Sequence, residues 1–319
     1  MVFKKNKNFS NNSVKKRIRR TLLDFFKWKI GYCSKDILIE PIKNFKYPLS
    51  IDSIDSSKPS VLWVGHCSFI INMDSKIILT DPIWSDFCSP VQFIGPKRKT
   101  APAFEFNKLK HVDYVLISHN HYDHLDHKTV LKLFKKFPNI LWIVPSGLKK
   151  WFLKRKIKNV IELSWWEKYN DDSINVSSVP AQHYSGRGLF DSNKTLWCGY
   201  VFEGLKAKKK VYFTGDTGYN MTHFKAIGKA FKSIDLSLIP IGAYTPREIM
   251  SPVHIDPNEA VKIHKEVNSK MSVAMHFKTF NLSDEKPHHA AYELFLNLQK
   301  ESIDHNKFLV IDIGDHVNF

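Results

Sequence analysis

One stretch constrains this chain more than any other. His119, His121, Asp123 and His124 stand together as H-x-H-x-D-H directly after Val112–Ile117. That run is almost unbroken apolar sequence, with Asp113 as its early charge, and reads as a strand buried on both faces. The cluster therefore sits where a buried strand stops. Packing these imidazoles and a carboxylate together without a cation would cost on the order of several kcal/mol in desolvation and crowding, so they are read as metal ligands. In a turn-like segment His119 and His121 point the same way and can share one metal, while Asp123 and His124 turn onto the next helix and reach a second. Cys33, Cys67, Cys88 and Cys198 lack C-x-x-C spacing, which fits neither a disulfide framework nor a thiolate zinc knuckle. Nitrogen and oxygen ligands then favour zinc, with iron or manganese as alternatives.

The same placement recurs downstream. His183 follows an expected strand at Ile174–Val179, Asp216 follows one at Lys210–Thr214 and His276 follows one at Ser272–Met275, so one rim of the fold can gather all seven side chains. Upstream, Val61–Asn72 and Lys76–Thr80 read as two strands joined at Met73-Asp74-Ser75. Further strands are expected at Ile140–Val144, Val160–Leu163, Leu196–Glu203, Leu236–Pro240 and Phe308–Ile313. Helices are expected before Pro138, from about Leu148, near Thr222–Phe231, at Asn258–Val267 and around His289–Gln299. This is an α/β layered architecture with two sheets stacked between helices. A 43% hydrophobic, 13% aromatic composition is enough for a large core. No apolar run reaches the roughly 18 residues of a membrane span, and the N-terminus lacks the features of a secretory signal. The chain is therefore expected in the cytosol, or peripheral on a membrane facing it.

Charge is unevenly spread. Of a formal net charge of +17, more than half comes from residues 1–29, where Lys4, Lys5, Lys7, Lys15, Lys16, Arg17, Arg19, Arg20, Lys27 and Lys29 face the single acid Asp24. Residues 1–57 are read as a basic N-terminal tail and 58–319 as the globular domain. Within the tail, 1–16 read as disordered and 16–30 as a basic amphipathic helix, with Ile18, Leu22, Phe25, Phe26 and Lys29 at helical spacing. Such a tail suits the phosphates of an anionic membrane surface or of nucleic acid. Nucleic acid is the weaker partner, because no helix-turn-helix, RNP or zinc-finger signature appears and the excess lies in the tail rather than along the cleft.

H-x-H-x-D-H after a buried strand, then a later His, a Gly-Asp and a final His, resembles the metallo-β-lactamase superfamily. More narrowly, Gly65-His66-Cys67-Ser68, Thr80-Asp81-Pro82-Ile83, Ser89-Pro90-Val91-Gln92-Phe93-Ile94-Gly95-Pro96-Lys97-Arg98, Gly215-Asp216-Thr217-Gly218-Tyr219, Ile239–Arg247 and His254–Val261 resemble the N-acyl-phosphatidylethanolamine-hydrolysing phospholipase D family. The resemblance covers roughly residues 58–315 and implies a four-layered αβ/βα sandwich with a tendency to form homodimers. It implies that His119, His121 and His183 hold one zinc, that Asp123, His124 and His276 hold the other, and that Asp216 bridges them. Asp81 would orient ligand imidazoles from behind. His254 would sit in the cavity as substrate contact or proton donor. Where the family has Trp after the third and last ligand histidines, with Gly following the latter, this chain has Tyr184 and Phe277-Lys278, which places those three at the substrate cleft.

The resemblance implies a zinc-dependent phosphodiesterase that hydrolyses N-acyl-phosphatidylethanolamine or a related phospholipid to phosphatidic acid and an N-acylethanolamine. On the same metals, hydrolysis of a lactone, a sugar-phosphate lactone or a nucleotide phosphodiester is the alternative, since fold does not fix substrate. The S-P-x-Q-F-x-G-P-K-R stretch tilts the choice to lipid. A nuclease and a catalytically idle, metal-bearing adaptor rank lower.

Overall fold

The structure, a computed structural model, describes residues 4–5, 8–11, 27–28, 30–33, 36–49, 53–188 and 190–319. Of the amphipathic helix expected over 16–30, only Lys27, Trp28 and Ile30 fall among them.

The first sheet contains β1 (Ser60–Gly65), β2 (Ser68–Met73), β3 (Lys76–Thr80), β4 (Tyr114–Leu116), β5 (Leu141–Pro145) and β6 (Val160–Leu163). The second contains β7 (Lys168–Asn170), β8 (Ile174–Val179), β9 (Gly199–Gly204), β10 (Lys210–Phe213), β11 (Ile234–Pro240), β12 (Ser269–Met275) and β13 (Phe308–Leu309). A late strand, β14 (His316–Asn318), returns to the first sheet and pairs antiparallel with β1. The strand orders are β14-β1-β2-β3-β4-β5-β6 and β13-β12-β11-β10-β9-β8-β7. In both sheets antiparallel pairs at one end give way to parallel pairs at the other.

The central strands are buried on both faces, and alternation explains how. Val115 and Ile117 pack outward with Trp142 and Val144 against Val130 and Leu133 of α1 (His127–Lys136), while Leu116 and Ile143 belong to the core that joins both sheets. α2 (Lys149–Leu153) adds Phe152 to the outer layer. On the second sheet, α3 (Met221–Phe231), α5 (Pro257–Glu266) and α6 (Pro287–Lys300) bury Phe224, Ile227, Ala260, Ile263, Leu294 and Leu298 in the shared core, and the short α4 (Arg247–Met250) precedes α5. The result is four layers, helix, sheet, sheet, helix, as the pattern of elements predicts.

Three local features depart from expectation. The segment read as one strand from Val61 breaks at Gly65-His66, where φ is +129° and +54° and the pairing register shifts. An extended apolar stretch conceals such a break because only the glycine marks it. The strands at Lys168–Asn170 and His316–Asn318 are too short and polar to show a period of two. At the N-terminus, Asn8–Asn11 are not loose: Phe9 is buried, its N–H donates to the Asn193 carbonyl, and Asn11 Nδ2 donates to the His183 carbonyl at 2.8 Å.

Among the described residues no helix is long and apolar enough to cross a membrane.

Candidate metal centre

Direction of travel assembles the site. β1, β3 and β4 run the same way in the first sheet, as do β8, β10 and β12 in the second, so their C-terminal ends meet at one rim, the usual place for ligands on open α/β sheets. Past those ends come His66, Asp81, the 119–124 cluster, His183, Asp216 and His276. The backbone is bent to deliver them: φ is positive at His66, Asp81 and His276, conformations that persist only where surrounding structure fixes them. Gly215, with φ +60°, lets β10 close on the first sheet, since a Cβ there would meet Ser118 Cβ at 2.6 Å.

The side chains converge as two adjoining groups. In the first, His119 Nε2 lies 2.8 Å and His183 Nε2 3.3 Å from His121 Nδ1. In the second, His124 Nε2 lies 3.2 Å from Asp123 Oδ2 and 3.1 Å from Asp216 Oδ2, and His276 Nε2 lies 3.3 Å from Asp216 Oδ1. Asp216 stands between them, its Oδ2 3.9 Å from His119 Nε2 and 3.7 Å from His183 Nε2.

The hydrogen bonds behind these rings set their tautomers. His183 Nδ1 meets the Val253 carbonyl at 2.9 Å, an acceptor, so that nitrogen carries the proton and Nε2 faces inward as a lone pair. Asp81 takes the Ser118 N–H at 2.7 Å and the Ser118 hydroxyl, and its Oδ2 meets His124 Nδ1 at 2.7 Å. Ser118 Oγ, its proton given to Asp81, meets His119 Nδ1 at 2.9 Å, which again turns Nε2 inward. Asp81 thus orients two rings from behind, one directly and one through a hydroxyl. His124 Nε2, His276 Nε2 and Asp216 Oδ1 are buried without a hydrogen bond among the described residues. Lone pairs aimed at one another and orphaned buried atoms are the signature of a donor set that could hold divalent cations.

Without cations the two groups carry opposite electrostatics. Burial drives His183 down to about 3 and holds His119 well below the ordinary imidazole value. At His276 burial opposes the charged form as well, but the neighbouring carboxylates of Asp216 and Asp123 outweigh it and carry the ring up to about 9.

The other expected residues fall as follows. His254 lies beside both groups, with Nδ1 3.9 Å from Asp216 Oδ2 and its ring 5.3 Å from those of His183 and His276. Tyr184 flanks the first group, its ring 4.5 Å from His121. Phe277 is 5% exposed and stacks on Trp63 at 5.1 Å, so its ring belongs to the core. The Lys278 ammonium meets Asp312 at 2.7 Å. In the sequence Gly65-His66 stands out only through the family resemblance, yet His66 is buried with Nε2 2.9 Å from Asp123 Oδ2. The signal was present: a Gly-His at the end of a strand that runs in the same sense as the ligand-bearing strands.

Comparison with known proteins identifies the family and the fold. The profile described as "Beta-lactamase superfamily domain" matches residues 76–277. The chain is 36% identical over 264 residues to N-acyl-phosphatidylethanolamine-hydrolyzing phospholipase D 1 of Caenorhabditis elegans, covering 79% of this chain and 74% of the worm protein. It is 37% identical over 246 residues to the mitochondrial N-acyl-phosphatidylethanolamine-hydrolyzing phospholipase D of Saccharomyces cerevisiae, covering 75% of this chain but 52% of the yeast protein. In fold it is similar to Igni18, a metallo hydrolase of Ignicoccus hospitalis, with a TM-score of 0.60 at 22% identity over 82% of this chain and 98% of that one.

Proposed function

We infer, for a chain that belongs to the β-lactamase superfamily and, within it, to the N-acyl-phosphatidylethanolamine-hydrolysing phospholipase D family, that this metal-dependent hydrolase cleaves a phospholipid phosphodiester. The substrate is N-acyl-phosphatidylethanolamine or a close relative, and the products are phosphatidic acid and an N-acylethanolamine. The observation that carries this is the pair of adjoining ligand groups with Asp216 between them. His119, His121 and His183 would hold one zinc, Asp123, His124 and His276 the other, and Asp216 would touch both. When bound, such a pair supplies a low-pKa water and Lewis-acid stabilisation of charge on phosphoryl oxygens.

The chain's own residues do the rest. Fixed tautomers at His119, His124 and His183 keep each donor lone pair inward, so little reorganisation is needed on loading. His254 supplies a proton to the departing alkoxide of the N-acylethanolamine, which is too basic to leave unprotonated. Its carbonyl accepts from Arg247 Nη1 at 3.2 Å, and Arg247 is held by Glu259 at 2.8 Å, so the ring is delivered on a braced loop. Tyr184 lines the cleft beside His121. The basic tail, residues 1–30, draws the protein to anionic lipid at about 1 kcal/mol per Lys or Arg near the surface.

The test is product analysis. Purified protein given N-acyl-phosphatidylethanolamine vesicles should release both products, lose that activity with chelator and recover it with zinc. Turnover of a lactone or a nucleic acid without lipid cleavage would overturn the substrate, and chelator-insensitive cleavage would overturn the metal. Deleting residues 1–30, or raising salt, should weaken vesicle binding; undiminished binding would remove the tail from the account.

A further inference from the structure

We propose that His66 is a positioning residue: its Nε2–H donates to Asp123 Oδ2 and fixes the rotation of that carboxylate toward His124 and His276. The inference deepens the metal-centre reading above and rests on it.

The turn holding His66 is fixed from every side. Its N–H donates to Thr279 Oγ1 at 2.7 Å, and its carbonyl accepts from Trp63 Nε1 at 2.9 Å and from the His276 N–H at 3.3 Å. Two of these three contacts come from the segment that delivers His276. Gly65, at φ +129°, and His66, at φ +54°, make the bend that turns the ring inward. The ring itself is enclosed, 4.2 Å from the ring of His276, 5.2 Å from that of His124 and edge-on to Phe280 at 5.3 Å. Phe280 is in turn covered by the Arg98 guanidinium at 4.9 Å, and Arg98 is tied to the Ile83 and Ser85 carbonyls at 2.8 and 3.1 Å. A ring so confined points in one direction.

What it points at is the acid of the motif. Asp123 Oδ2 lies 2.9 Å from His66 Nε2, 3.2 Å from His124 Nε2 and 3.6 Å from His276 Nε2. A carboxylate only accepts, so the Nε2–H of His66 donates into one lone pair of Oδ2 and leaves the other for a cation. Asp123 is the least buried carboxylate of its group, its side chain 14% exposed against 2% for Asp216. Of the three imidazoles around it, His66 lies nearest, and it stands on a separate strand turn. Partners of this kind typically change metal affinity by about 10- to 100-fold when removed.

The experiment compares His66→Asn, His66→Gln and His66→Phe in the full chain, loaded with zinc or cobalt alone and titrated with a competing chelator. A glutamine amide reaches the place of Nε2, an asparagine amide falls short and phenylalanine keeps the ring without a donor. The expected result is two-phase release in which one cation binds about 10- to 100-fold more weakly in H66N and H66F, the second is unchanged, and H66Q restores the first. If H66F does not fold, the H66N and H66Q pair carries the same comparison. Wild-type affinity for both cations in H66N, or a glutamine variant as weak as the asparagine one, overturns the role of His66. A wild-type protein that binds no divalent cation overturns the metal centre instead, and the two failures are told apart in the control.

Discussion

The two ligand groups share Asp216 and a rim of the fold, yet they are built on different principles. The His119, His121 and His183 group is all imidazole, and a serine hydroxyl backs His119 and a backbone carbonyl His183. The Asp123, His124 and His276 group mixes carboxylates with imidazoles and is backed by Asp81 and His66. Burial leaves His119 and His183 of the first group neutral, whereas Asp216 and Asp123 keep a proton on His276 of the second. A pair of sites that look symmetric on a ligand list therefore differ in what a cation must displace: at His276 a proton, at His119 and His183 none.

That contrast can be broken in order of severity. Asp216→Asn strikes both groups at once and should cost both cations and about 10³-fold in turnover; full zinc content by elemental analysis would show that the two groups are not joined there. His121→Ala should remove one cation and leave the carboxylate-backed one, with activity down about 10²-fold; equal loss of both would make the groups a single cooperative unit. Asp81→Asn should weaken the His124 side by about 10- to 100-fold, and the His119 side less because Ser118 intervenes, read by chelator competition. The gentlest probe is protons. A ring carried up to about 9 is protonated at neutral pH, so filling the second group should release protons into weak buffer, while filling the first, with His183 near 3, should release none from that ring. Affinity at the second group should accordingly strengthen as pH rises toward 9 and level off above it.

Most of this centre is legible in the sequence because its residues follow strands that announce themselves. Val112–Ile117 can only be a buried strand, and the polar cluster after it has nowhere to go but the rim. The layered fold follows from the same alternation of short apolar runs and amphipathic stretches. What stays hidden depends on a bend or on a neighbour. His66 sits inside a stretch that reads as continuous strand, and only its left-handed backbone reveals the turn. Phe277 reads as a cleft residue from its place beside His276, but Trp63, more than 200 positions earlier, claims its ring. Phe9 lies in a polar, basic tail whose composition argues against order, yet one aromatic side chain finds a slot in the body. Pattern reports what a segment prefers; it does not report which distant surface is waiting for it.

The pairing of β14 with β1 carries a consequence for biogenesis. His316–Asn318 close the exposed edge of Ser60–Gly65, and Asn318 Nδ2 then clasps the Asp55 carbonyl at 2.9 Å. While the ribosome is still adding residues between 65 and 315, that edge has no partner, and an uncovered strand is an invitation to stray pairing with other nascent chains. The opening of the domain is therefore sealed from its far end, and a lesion at residue 317 should be felt first at residue 61.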